Sequence, residues 1–486
     1  MKKWISVACG LLFLGMISIL PLHAKADVQM SLKQGSLEAS YNVKIWQATM
    51  KQLKTQPGIK KVIVPKGTYY FNATLNVPSH IKLSGIHAKE SNIVFSKLVT
   101  GLKVEENKNA REGIIQAENV TIENLNIRFQ SGLKGASFAS LIEVSPKFDE
   151  QNYKNYKTFR NITIQNNKLD MKEKGSSIIN LGRIEHLIVK NNEVKNSGLQ
   201  NGISVEFTND ALFKGNIIDN VGRSGIQLYR SNGSPKKVDK ILIEGNTVTN
   251  WMQRFGKYNF EKSKANHITP DIMSDAGIDS YGPNNQNVYI QNNTLSAGKI
   301  NQSLPDNLAL LKKYGKKAYP SSRVLLTAIR LSGAKNAVVA NNTVRLKGKD
   351  IFSFFTSNSR TKAGQTTKPG NILVQNNAFY ADGMVAYPIR LFNGQIINKR
   401  GFELTKNRFS FSKKSQITNY YRTLVEVRLA SQKLNLRENQ IEDRGQKLGY
   451  LISAPAPLKE LWLTKNTRNG KNWRNVRGEF LMKRVQ

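Results

Sequence analysis

The chain has 486 residues, with 73 lysines and arginines against 34 acidic residues, a formal net charge of +39 and a single cysteine. A field of that sign attracts polyanions and repels polycations. One cysteine excludes an internal disulfide framework and a multi-thiolate metal site.

Residues 1–26 read as an export signal. Lys2 and Lys3 precede an apolar run from Ile5 to Leu22, and Ala24-Lys25-Ala26 offers small residues for cleavage. The run is broken by Gly10, Gly15 and Pro21, so no transmembrane anchor is expected. Removing the three lysines Lys2, Lys3 and Lys25 from +39 leaves +36, and removing Cys9 leaves no cysteine nucleophile. Secretion without disulfides fits a bacterial extracellular or cell-wall-associated protein. There the polyanion met first is acidic polysaccharide. No module interleaves aromatics with lysines, so nucleic acid is not the expected partner.

Residues 27–110 read as an N-terminal cap with the first repeats. Val43, Trp46, Met50 and Leu53 recur at helical spacing, and Pro57-Gly58 closes that helix. Lys61-Val62-Ile63-Val64-Pro65-Lys66-Gly67-Thr68-Tyr69-Tyr70-Phe71 reads as strand, turn, strand, and Val77 to Gly85 repeats the idea. This opening resembles that of the pectate-lyase-like superfamily, a group of right-handed parallel β-helices. The resemblance implies an all-β, right-handed parallel β-helix solenoid with an N-terminal capping helix. It also implies a carbohydrate-active role. The superfamily holds polysaccharide lyases, uronate C5-epimerases, polygalacturonase-type hydrolases and non-catalytic surface proteins, and fold does not choose among them.

Residues 111–468 carry the repeat itself. A strand of alternating pattern, an asparagine and a second apolar pair recur, as in Asn161 to Leu169 and Lys240 to Val248. Aligned copies place asparagine at one position ten times: Asn167, Asn192, Asn216, Asn246, Asn293, Asn342, Asn377, Asn407, Asn439 and Asn466. Asparagine tolerates the left-handed conformation that a tight corner requires, and stacked amides can bond from rung to rung. A solenoid of this kind extends without a new core, so one long monomeric unit is expected. Residues 469–486 look too irregular for another rung and are expected to be a cap or tail.

A partner strand precedes each asparagine strand. Aligned on its buried residue, it presents an outward column Glu143, Asn180, Ser204, Gln227, Asp279, Arg330, Arg390, Glu426. A second column two positions on reads Glu206, Tyr229, Tyr281, Ser332, Phe392, Arg428. Aromatic rings stack on sugar faces, while amides and charges bond hydroxyls and carboxylates. The spacings Asn246 to Asn293 (47) and Asn293 to Asn342 (49) exceed the 24 to 35 found elsewhere. The extra residues, 250–276 and 296–325, flank the Asp279 rung, as insertions beside a binding face do. The first holds Trp251, Arg254, Tyr258, His267, Asp271 and Asp275.

Removing the proton beside a uronate carboxylate needs a cation on that carboxylate, a base and an acid. Arg330 is the candidate cation, His267 or Tyr281 the proton carrier, and Asp279 the residue that orients them. Gln227, Tyr229, Arg390, Glu206, Arg254 and Trp251 are candidate sugar contacts. No cofactor is required. Asp271, Asp275 and Asp279 offer calcium an alternative oxygen set. Ser274-Asp275-Ala276-Gly277-Ile278-Asp279 is similar to the Asn-x-Asp-Gly-Ile-Asp stretch of polygalacturonases. That family adds an adjacent Asp-Asp one rung later and then a Gly-His, where this chain has Arg330. Hydrolysis, or adhesion through a basic surface without catalysis, are the alternatives to elimination and epimerisation.

Overall fold

The computed structural model describes residues 27–105, 115–135, 137–144, 158–206, 208–229, 240–254, 275–282, 285–298, 326–358, 370–396, 401–431 and 433–485. Each repeat forms one coil of three short strands, and successive coils stack in register into three parallel sheets. Ile203–Glu206 pairs with Ile226–Tyr229 in the first sheet, Ala211–Lys214 with Ile241–Glu244 in the second, and Ile217–Asp219 with Thr247–Thr249 in the third. The result is the expected right-handed parallel β-helix. Among the described residues the antiparallel exception is the short pair Thr467–Arg468 and Lys471–Asn472.

The sequence makes this fold because its inward positions are aliphatic or aromatic in every coil. Phe354, Phe379 and Phe409 stack at 5.3 and 5.1 Å between centroids. Phe71, Phe95 and Phe129 form a second file at 6.2 and 6.5 Å. Each buried ring contributes roughly 2–3 kcal/mol of transfer free energy. At the N-terminal end the helix Ala39–Lys54 lies over the open coil, with Val43, Trp46, Met50 and Leu53 buried. Trp46 meets Phe71 edge-on at 5.9 Å and its Nε1 donates to the Asn76 carbonyl at 2.8 Å. Strand edges that would recruit other chains are thereby covered.

The ten asparagines form one continuous buried ladder. Each Nδ2 donates to the Oδ1 of the next asparagine at 2.9 to 3.1 Å, from Asn167 through Asn246, Asn293 and Asn342 to Asn466. Each Oδ1 also accepts the backbone N–H of the asparagine before it. The left-handed corner residue is not the ladder asparagine but its predecessor. Asn166, Asn292 and Asn341 have φ of 56°, 57° and 57°, Gly245 has 64°, and Lys406 has 54°. The corner makes the bend, which frees the ladder amide to point inward.

Residues 469–486, expected to be a cap or tail too irregular for another rung, carry two strands, the short Lys471–Asn472 and the longer Val476–Val485. Val476–Val485 pairs in parallel with Tyr450–Thr464. Its polar, basic sequence hides the alternation. No helix among the described residues is long and apolar enough to cross a membrane.

Candidate active site on the first sheet

The outward column exists in the expected register, with one rung more between Arg330 and Arg390 than the sequence alignment gave. Gln227 pairs with Asp279 and Asp279 with Arg330, but Arg330 pairs with Thr356, and Thr356 with Arg390. Arg330 and Arg390 are therefore two rungs apart, about 10 Å at the strand spacing. The missed rung lies in the strand Thr343–Asn358, which runs unbroken from the third sheet into the first.

Around Asp279 this column is not open surface. Asp279 is fully buried, and Gln227 and Asp275 nearly so. A carboxylate there needs positive partners and has them. Arg330 holds Asp279 in a two-pronged contact, with Nε to Oδ1 at 2.7 Å and Nη2 to Oδ2. The same Nη2 reaches Asp275 Oδ1 at 2.9 Å. Asp275 Oδ2 accepts from Arg223 Nε at 2.6 Å. The result is an alternating ladder, Arg223, Asp275, Arg330, Asp279, with formal charges that cancel.

Beside it Tyr281 lies over Tyr229, centroids 4.9 Å apart, and the Arg330 guanidinium sits 5.9 Å from the Tyr281 ring. Burial, then the charges of Asp279 and Asp275, pushes the Tyr281 hydroxyl well above the ordinary tyrosine range. Glu206, two rungs below Tyr281 in the same column, pushes the same way. Burial opposes the charge on Arg330, but the two aspartates overcome it and raise its proton affinity further. Asp275 is also penalised by burial, yet Arg223 and Arg330 pull it below the ordinary aspartate value. Burial pushes Asp279 upward against the pull of Arg330, and Asp275 adds repulsion.

Asp275, Asp279, Arg330, Tyr281, Tyr229 and Gln227 are thus brought together. The Oε1 of Gln227 accepts from Asn201 Nδ2 at 2.9 Å, and its buried Nε2 has no hydrogen-bond partner among the described residues. Trp251 does not join the site, because it is a fully buried core residue beside Gly277. Arg254 is spent elsewhere, clamping a corner through Gly198 O at 3.0 Å, Asn220 Oδ1 at 3.2 Å and Glu173 at 3.2 Å. Arg390 stacks on Tyr387 at 4.2 Å and pairs with Glu426 at 3.1 Å. His267 and Asp271 lie outside the described residues. Arg223 went unread because it sits in a turn. It stands four residues before Gln227, as Asp275 stands four before Asp279, and that shared offset was the available signal.

Of the three residues suggested for calcium, the two described ones, Asp275 and Asp279, are both engaged by arginine. All four carboxylate oxygens of Asp275 and Asp279 already take arginine N–H groups.

No family model matches the chain, and no curated protein matches its sequence. Among solved structures it is similar to the A-module of mannuronan C-5 epimerase AlgE6 from Azotobacter vinelandii, with 12% identity over 95% of this chain and 98% of that one and a TM-score of 0.48. It is also similar to the catalytic unit of a GH87 alpha-1,3-glucanase from Streptomyces thermodiastaticus, with 11% identity over 95% and 68% of the two chains and a TM-score of 0.47. DFA-IIIase from Arthrobacter chlorophenolicus without its lid gives 11% identity over 92% of each chain and a TM-score of 0.44. At such identities the likeness is one of fold and carries no argument about activity. The strand register of the chain itself establishes the parallel β-helix, the fold of the pectate-lyase-like proteins.

Proposed function

We propose that this protein is an exported bacterial enzyme, acting as a monomer on an anionic, uronate-containing polysaccharide, by β-elimination or C5-epimerisation at the Asp279 face. The observation that carries this reading is a guanidinium, Arg330, fixed by two aspartates beside Tyr281, a tyrosine kept protonated. A cation and a proton donor are the electrophilic half of that chemistry. Arg330 and the general positive field favour the substrate carboxylate as its neighbouring C–H proton leaves to a base, for which His267 remains the candidate. In elimination the C4–O bond then breaks and Tyr281 gives its proton to the leaving oxygen. In epimerisation Tyr281 returns a proton to the opposite face of the carbon. Gln227 Nε2 supplies a donor for a substrate hydroxyl or ring oxygen.

Hydrolysis is a second reading, favoured by the meeting of Asp275 and Asp279 at one guanidinium nitrogen. Their proton affinities are pushed in opposite directions, as an acid and a base require. It ranks second because a carboxyl with both oxygens held by N–H donors has no proton ready to give. One assay separates the readings. The protein is incubated with polygalacturonate, alginate, hyaluronan and heparosan, with and without a chelator. New reducing ends with ultraviolet absorbance from a double bond mean elimination. Solvent deuterium at C5 without chain cleavage means epimerisation. Reducing ends without absorbance mean hydrolysis and overturn the primary reading.

A further inference from the structure

Toward the C-terminal end the same face carries a second feature that the proposed chemistry does not use. The turn before Thr423–Ser431 presents Tyr420 almost fully to solvent, 89% exposed, with its ring edge-on to Tyr421 at 4.7 Å. Arg477, from the last strand, places its guanidinium over the Tyr421 ring, 4.0 Å from the centroid. This turn is not loose. Asn419 Nδ2 donates to Ala386 O at 2.9 Å and Thr423 O at 3.1 Å, and its Oδ1 accepts the Thr423 N–H at 2.8 Å. An exposed aromatic held rigidly loses little entropy when a ligand stacks on it.

Its place on the fold gives it meaning. Arg330, Thr356, Arg390, Glu426, Ser453 and Arg477 follow one another in the outward column. The five steps from Arg330 to Arg477 span about 24 Å, room for several sugar units. The one acid in between, Glu426, is neutralised by Arg390 at 3.1 Å and Arg428 at 2.9 Å. The strip therefore carries Arg330, Arg390 and Arg477, with the buried Thr356 and Ser453 between them, and it shares the strand register of the Asp279 site.

We propose that Tyr420, Tyr421 and Arg477 form a distal subsite that binds a carboxylated sugar of a long polysaccharide, the ring stacking on Tyr420 and the carboxylate meeting Arg477. This rests on the reading of the Asp279 face as acting on such a polymer. It makes the protein selective for chain length, because only a chain long enough to span both sites gains the second contact.

The test is direct binding of polygalacturonate, alginate and inorganic polyphosphate, a sugar-free polyanion, to the full chain and to Tyr420→Ala and Arg477→Ala. Melting temperature serves as the folding control. Affinity for one of the two glycans should fall about tenfold in Tyr420→Ala, while polyphosphate binding stays within about twofold. Arg477→Ala should weaken the same glycan similarly. Equal losses on glycan and polyphosphate, or no loss on either glycan, overturn the subsite. Tyr420-dependent binding without turnover would sink the enzymatic reading and keep the subsite. Turnover that ignores Tyr420 on long chains would do the reverse.

Discussion

Two stacked columns run along this molecule. The buried asparagine column repeats one residue over ten coils, and every amide does the same thing. The outward column of the first sheet changes residue at each coil, from Gln227 to Asp279, Arg330, Thr356 and Arg390. Both inherit the same strand spacing. Identity along a column gives a ladder whose value is stability. Variation along a column places unlike groups at a fixed short distance, and chemistry needs that. The comparison would fail if the varied column proved to be only another ladder, built of ion pairs instead of amides.

The largest expected effect addresses that failure. Arg330→Ala should abolish turnover, but it should also destabilise the fold by about 3 kcal/mol, because Asp279 and Asp275 would be left buried without their shared cation. Arg330→Lys is the cleaner probe. It keeps the charge and loses the two-pronged geometry. Turnover should fall about a hundredfold or more, while the melting temperature moves much less than in Arg330→Ala. Full activity in Arg330→Lys would reduce the quartet to a structural ion ladder.

Next comes the amide column. Asn293 donates to Ile243 O, Gln291 O and Asn342 Oδ1, and accepts from the N–H and the side chain of Asn246. Asn293→Leu strands all of these buried partners, so stability should drop by about 3 kcal/mol. Folded protein should retain its kcat. A chemical denaturation curve and a rate measured well below the transition check both halves. An unchanged midpoint would mean that the ladder is decoration on a core that stands without it.

How much of this was legible in the sequence follows from the same contrast. A residue repeated ten times at regular intervals announces itself, so the coils, the helical cap and the column register could be read from the chain. Thr356 could not, because its strand runs on unbroken from the preceding one and carries Phe354-Phe355 where the other aligned strands carry isoleucine or valine, although its coil does hold a ladder asparagine, Asn377. Burial around Asp279 was equally hidden, since alternation says which way a side chain points but not what covers it. Trp251 and Arg254 looked like sugar contacts because they sit near an insertion. Packing decided otherwise, placing one in the core and the other across a corner. The quartet needed Arg223, a turn residue outside any alternating pattern.

The quartet also makes a pH prediction smaller than either substitution. Asp275 has a depressed proton affinity in the folded state, so its contribution to stability is present above the ordinary aspartate pKa and is lost as pH falls through the folded value. Asp279 is shifted the other way. The folded state holds its proton more tightly, so stability declines as pH rises from the ordinary aspartate pKa toward the raised one. The two slopes oppose each other in the acid range. Asp275→Asn should leave a melting temperature that falls less steeply on acidification than that of the wild type. Asp279→Asn should leave one that falls more steeply. Parallel profiles for all three proteins would mean that neither carboxyl titrates differently on folding.

The smallest effect lies at the corners that let the ladder form. The corner before each ladder asparagine is left-handed, and most coils place Asn or Gly there, as at Asn292, Asn341 and Gly245. Lys406 holds φ of 54° before Asn407 with an ordinary side chain. A left-handed lysine is strained by roughly 1 kcal/mol relative to a residue that tolerates the region. Its long contact to Glu438, 3.7 Å between exposed groups, offsets little of that. Lys406→Asn would restore the Asn-Asn pair used elsewhere and should raise stability by about 0.5–1 kcal/mol, with turnover unchanged. A drop instead would mean that the lysine stem shields the ladder at that coil, so that the amide column is not indifferent to its corners. The distinction between a uniform inside and a varied outside would then have to give way at the turn that joins them.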